Sequence, residues 1–382
     1  MYMEDYNKEL SDALFCLNRL QSENYDGETH DLQPAQERIR HLLSHMELSR
    51  GLVRLMIECQ QDVRNLRNKL DDCSNYGVNT VRCNDCGIKM RPDVLELMNR
   101  RNVAAARLGY TSYGSAILEA DDLTAAWVKS KLNAYLDMHL SDVARRAKEA
   151  DIFIDDWFAW LSRENAREHI YDPILLLDTF THRLGIKDVL PKLNIRLADS
   201  FCYASQLDSE HIIMQVSPIS DVASWTTVFH EFGHACVYAN LPKNSLPYLS
   251  PLVDEVFAVL FENLAVRLLA EGTLRSRALS VLHTEYTRTC ISGMFELDLW
   301  QDPSDPERLY ESWYHRLGVK VEPCKWAVDS FRSIDCMTIF AYTIGQILAD
   351  FASDEKLLHL LPKLVKRAAD ITLFDLVKEC MA

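Results

Sequence analysis

The sequence predicts a mainly α protein with one small β-sheet just ahead of its most informative helix. Three observations carry this reading. The 382 residues include only 12 Gly and 12 Pro, too few turn formers for a many-stranded sandwich or propeller. Apolar residues recur at three- and four-residue spacing along most of the chain, the helical period. Only residues 190–217 break that pattern. There Ile195–Leu197, Phe201–Tyr203 and His211–Val216 form short runs rich in β-branched and aromatic residues, separated by polar turns.

Taken in order, a helix is expected over Lys8–Leu20, followed by a polar loop from Ser22 to His30. From Pro34 to Asp72 the positions Ile39, Leu42, Leu43, Met46, Leu48, Leu52, Leu55, Met56 and Val63 keep helical spacing. Segment 73–92 contains Asn75, Gly77, Cys83, Cys86 and Pro92 and reads as a break. A boundary is therefore placed near residue 90, dividing the chain into an N-terminal helical region, 1–90, and a second domain, 91–382. Helical pattern returns over 93–107, 120–148, 151–165 and 172–183. It resumes at 221 and runs to the end, with breaks at Pro242–Pro251, Asp302–Pro306 and Gly318–Pro323. No internal repeat or low-complexity tract is visible.

A chain of this length suits one large domain or two closely packed ones, at about 150 residues per domain. It can bury about three quarters of its unfolded surface, so it needs no covalent staple to hold a core. Net charge is −15, from 41 Lys+Arg against 56 Asp+Glu. Such a surface repels phosphate backbones, so no nucleic-acid partner is expected. The start, Met1 to Tyr6, shows no positive segment leading into an apolar one, and no run approaches about 18 apolar residues, so neither a secretory signal nor a membrane span is expected. Eleven Cys, an odd number scattered through helical sequence, suit reduced thiols in a cytoplasmic protein.

The chemistry concentrates in His230-Glu231-Phe232-Gly233-His234. Residues four apart share a helix face, so both imidazoles can meet one metal ion, with Glu231 beside them as a general base. The motif is short enough to arise by chance, but its context strengthens it. It follows Asp221, a good N-cap, and the strand cluster, whose last strand, His211–Val216, reads as an edge able to pair with an extended peptide. A catalytic zinc takes three protein ligands. The stretch from Pro251 to Asn263 is apolar except at Asp254, Glu255, Glu262 and Asn263, and carboxylates on such a stripe are costly unless paired or metal-bound. Glu255 is the candidate third ligand. Glu262, two turns on, is placed to accept a hydrogen bond from a ligand imidazole and fix its tautomer. The bland readings are a surface or core His pair and a Glu favoured by the helix dipole; both elements occurring in order favours the metal.

These residues resemble the signature of the thimet oligopeptidase and oligoendopeptidase F metallopeptidases: His230–His234, then Asp254-Glu255 and Phe261-Glu262-Asn263. The likeness extends to Arg101-Asn102 with Leu108-Gly109-Tyr110 and Tyr113, to Phe295-Glu296, and to Trp326-Ala327 with Phe340, Tyr342 and Gly345, so it spans about residues 95–353. It implies a two-lobed helical fold with a deep cleft, a catalytic domain over 91–382, one Zn2+ ion and hydrolysis of short peptides. The chain departs from the family in two ways. Its N-terminal region is shorter, and its late segment, Ser330 to Tyr342, lacks the family's His and keeps only Tyr342 of the tyrosines.

The expected assignment is therefore zinc on His230, His234 and Glu255, Glu231 as general base, and Tyr342 as a donor to the oxyanion. Arg332 is a weaker candidate for meeting a substrate carboxylate. Two alternatives keep the metal: an amide hydrolase of small-molecule biosynthesis, and a non-catalytic peptide-binding protein, against which the intact Glu231 argues. A di-iron helical protein needs a second ExxH, and none stands here. Cys83 and Cys86, with Cys73, could supply part of a structural zinc knuckle, but no second CxxC exists and ordinary free thiols are the favoured reading. His283, His315 and Tyr286 show no ligand spacing and are read as core or surface residues.

Overall fold

The structure is a computed structural model and describes residues 3–25, 30–44, 84–164, 172–186, 188–198, 202–333 and 335–382. Its helices are α1 (Met3–Tyr25), α2 (Gln33–Ser44), α3 (Asn84–Arg107), α4 (Tyr113–Ala120), α5 (Ala125–Glu149), α6 (Trp157–Glu164) and α7 (Leu177–Leu184). After the strands β1 (Leu193–Leu197), β2 (Tyr203–Gln206) and β3 (Ile212–Val216) come α8 (Val222–Asn240), α9 (Pro251–Leu269) and α10 (Gly272–Gln301). The chain ends with α11 (Pro306–Arg316), α12 (Ile339–Phe351), α13 (Asp354–Leu364) and α14 (Leu373–Met381). The mainly α reading with a small sheet ahead of the HExxH helix is the architecture found.

The helix starts follow from local chemistry. Asp221 caps α8 by accepting from the Ser224 backbone, while the Ser224 hydroxyl bonds back to the Asp221 N–H, a reciprocal capping box. Ser250 caps α9, and Pro251 fills its first position, where the missing N–H costs nothing. The segment read as a break over 73–92 is helical from Asn84, and α3 runs through both residue 90 and Pro92. Cys73 and Cys83 lie outside the described residues, as does most of the helical pattern expected over 34–72.

The sheet corrects one expectation. Its order is β1-β3-β2, with β3 parallel to β1 and antiparallel to β2. His211–Val216 therefore runs through the centre of the sheet, and β2 is an edge. All five residues of β3 are buried, the polar Gln215 among them, as expected for a central strand covered on both faces. One end of the β2 edge is met by α1, whose Asn18 Nδ2 donates to the Gln206 carbonyl at 3.0 Å.

Two apolar clusters hold the described residues. A small one joins α1 to α2 through Leu10, Ala13, Leu17, Ala35, Ile39 and Leu42, and a large one takes in nearly every element from α3 onward. At the centre of the large cluster α8, α9 and α12 approach very closely. A Cβ added at Gly233 would stand 2.6 Å from the Ala258 Cα, and one at Gly345 would stand 2.7 Å from the Val259 Cβ. Both glycines are there to let backbones touch. Among the described residues no helix is long and apolar enough to cross a membrane.

Candidate metal centre

The close approach at Gly233 puts the polar face of α8 against that of α9. His230 and His234 come from one helix and Glu255 from the other, and one donor atom from each lies within 4.8 Å of the others. Glu255 Oε2 stands 3.5 Å from His230 Nε2 and 3.7 Å from His234 Nε2. The remaining ring nitrogens face further carboxylates of α9. His230 Nδ1 lies 3.5 Å from Glu262 Oε2, and His234 Nδ1 lies 3.0 Å from Asp254 Oδ1. Each imidazole is thus turned so that Nε2 faces Glu255. The carboxylates are themselves fixed. Tyr286 donates its hydroxyl to Glu262, and Tyr238 donates to Asp254 Oδ2 at 2.8 Å.

This donor set fits a divalent cation. Glu255 Oε2 is buried without a hydrogen-bond donor. Glu231, Asp254, Glu255 and Glu262 together bring four carboxylates to two imidazoles, and the described residues lining the two cavities at the site include no Lys or Arg. Buried negative charge without a counter-charge is strongly unfavourable. The histidines carry the resulting field. Burial opposes their charged forms, but Asp254 and Glu255 outweigh it and lift His234 to about 9, and Glu255 and Glu262 raise His230. Burial raises the Glu231 carboxyl, with the two imidazoles acting against it, while for Glu255 the same imidazoles win over burial and lower it.

Glu231, His230 and Tyr342 line cavities on two sides. One, of about 410 Å³, is bounded by the β2 edge from Tyr203 to Ser205 and by Asn18, Gln21 and Ser22 of α1. The other, of about 450 Å³, reaches past Ser162, Ser224 and Glu285 to Phe158. Tyr342 comes from α12. Its ring stacks on His230 and its hydroxyl pairs with Glu255. Phe331 stands edge-on to Tyr342, centroids 6.0 Å apart.

The structure overturns the idea that Arg332 meets substrate. Arg332 is fully buried, pairs with Glu296 at 3.2 Å and bonds the Ser292 hydroxyl, with its guanidinium 5.1 Å from the Phe295 ring. Glu296, lifted by burial to about 7 despite Arg332, accepts the Met337 N–H at 2.8 Å. The pair fixes the loop leading into α12 and so the approach of Tyr342. The Arg101–Tyr113 segment serves the same loop, since Arg101 lies over the Tyr113 ring and donates to Cys336. Sequence reasoning missed Asp254, Tyr238 and Tyr286 as partners of the site. A signal existed for Asp254, one more carboxylate on an apolar stripe. None existed for the tyrosines, whose hydroxyl positions depend on helix packing.

No protein-family profile and no curated protein matches the chain. The fold does match solved structures. The M32 carboxypeptidase from Deinococcus radiodurans R1 superposes with a TM-score of 0.60 at 14% identity, covering 99% of this chain and 94% of that one. Metallocarboxypeptidase 1 of Trypanosoma cruzi gives 0.59 at 13%, covering 99% and 96%. PZ peptidase A, solved with an inhibitor, gives 0.59 at 12% over 78% of this chain and 63% of its own length. At such identities the likeness is one of fold: this chain has the helical fold found in these peptidases.

Proposed function

We propose that the protein is a zinc-dependent metallopeptidase acting on short peptides. One observation carries the reading: His230, His234 and Glu255 converge with both outer ring nitrogens facing carboxylates, and Glu231 stands beside them in the same cavities. The shared fold with carboxypeptidases and PZ peptidase A supports it. His230, His234 and Glu255 would hold the zinc ion, which would supply Lewis-acid polarisation of the scissile carbonyl and a water of lowered pKa. Glu231 is the general base of this reading, the carboxylate that accepts a proton in the cavity and passes it to the leaving amine. Tyr342 offers its hydroxyl to the oxygen on which negative charge develops.

An extended peptide adds to the β2 edge along Tyr203–Ser205, with residues beyond the scissile bond entering the second cavity. Asn18 occupies the Gln206 carbonyl, and α1 closes the far wall of the first cavity, which restricts the length of peptide that fits.

The test is mass-spectrometric digestion of a random pool of short peptides, with and without chelator, alongside Glu231→Gln. Cleavage that needs metal and disappears in the variant is the expected result. If zinc-loaded protein cuts nothing, or Glu231→Gln cuts as well as the native chain, the proposal fails.

A further inference from the structure

Away from this centre, three helices bring a second set of ligand-type side chains together. His139 of α5, His283 of α10 and Asp350 of α12 each present a donor atom, and the three atoms lie within 4.8 Å of one another. The two imidazoles stack, centroids 4.8 Å apart and planes 14° from parallel. His283 Nε2 stands 3.2 Å from Asp350 Oδ1.

The surroundings hold these groups in place. Gln346, fully buried, donates to Asp350 Oδ1 at 2.7 Å, and its own carbonyl accepts from buried Asn263 at 2.9 Å. His139 packs on the Tyr135 ring at 4.4 Å. The cluster lies at the surface, with His139 and His283 half-buried and Asp350 exposed. A carboxylate oriented by a buried hydrogen-bond relay, open to water on its other side, is the arrangement metal ligands adopt. Two imidazoles and one carboxylate select borderline divalent ions such as Zn2+, Co2+ and Ni2+ over the hard, all-oxygen cations.

We propose that His139, His283 and Asp350 form a second site for a divalent transition metal, which ties α5, α10 and α12 together at the surface. Water completes the coordination on the open side. Because α12 also carries Tyr342, an ion here braces the helix that supplies a side chain to the first centre. The proposal does not depend on the peptidase reading, because it concerns different residues and is read by metal content.

The experiment is Zn2+ titration calorimetry and metal analysis after dialysis, comparing the native protein with His139→Ala/His283→Ala. The double variant should bind one equivalent fewer while its first centre still binds its own equivalent. A milder variant, Asp350→Asn, preserves shape and the Gln346 contact and guards against loss of folding. It should weaken the same equivalent by about 10- to 100-fold. A double variant that folds and binds as many equivalents as the native chain would overturn the site, as would Asp350→Asn with unchanged affinity.

Discussion

The Tyr342 ring stacks on the His230 imidazole, centroids 5.4 Å apart and planes 8° from parallel, while its hydroxyl faces Glu255. One residue therefore meets two of the three candidate ligands, once by stacking and once through its hydroxyl. Tyr342→Phe separates the two roles. It should leave the stacking and the zinc content intact and lower kcat by roughly 100- to 1,000-fold, the usual cost of losing an oxyanion donor. KM should move little. Steady-state kinetics on a cleaved peptide checks this, and unchanged turnover would remove Tyr342 from the chemistry.

Asp254 and Glu262 each face the outer nitrogen of one histidine, at 3.0 and 3.5 Å. Asp254→Asn and Glu262→Gln keep the size of the side chain and remove its charge. Each should weaken zinc by about 10- to 100-fold, measured by competition with a chromogenic chelator. Native affinity in both would mean that the pairs serve packing alone.

Gly233 lets α8 touch α9 between the two histidines. The Cβ of Gly233→Ala would meet backbone at 2.6 Å, which no side-chain rotation relieves. The helices must separate, at a cost of about 1–3 kcal/mol, seen as a lower urea midpoint. The same separation should reduce zinc affinity, because the ligands come from both helices. A stable, tightly binding Gly233→Ala would mean that the contact is looser than its geometry.

Asp121 ends α4, accepts the Ser250 hydroxyl at 2.6 Å and the Leu373 N–H at 2.9 Å, and so ties the starts of α9 and α14. Burial raises its pKa from 3.8 to about 6, with those hydrogen bonds acting against the rise. A raised acid favours folding of its neutral form. Its contribution is fully present below about pH 4 and is lost as pH rises through about 6. The difference amounts to about 3 kcal/mol, taking about 1.4 kcal/mol for each pH unit between the folded and unfolded values. Asp121→Asn should abolish this component, flattening the stability profile between pH 4 and about 7. A denaturation series in which both proteins show the same pH slope would rule the component out.

Helical periodicity was legible because it is local. It marked α8 and α9, and the capping chemistry of Asp221 marked where α8 starts. The strand cluster was legible for the same reason, but not its order. Which strand lies in the middle depends on what covers each face, and the full burial of Ile212–Val216 answers that only in the fold. Arg332 was misread because a cation beside a candidate site looks functional until its partner, Glu296, is seen beneath it. His283 and Tyr286 were passed over because their partners lie on other helices, Asp350 on α12 and Glu262 on α9.

What the sequence alone determined is the part of the site that spacing dictates. The four-residue interval from His230 to His234 puts both rings on one face of any helix that forms, and an isolated Glu255 on an apolar stripe needs a partner there. Tertiary structure alone decided the rest: the meeting of α8 and α9 at Gly233, the edge position of β2, the stacking of Tyr342 on His230, and the convergence of His139, His283 and Asp350. The physical reason is the range of the forces. Periodicity and capping act within a turn or two of helix, whereas these contacts are set by close packing between segments distant in the chain, and no local pattern records which surfaces will meet.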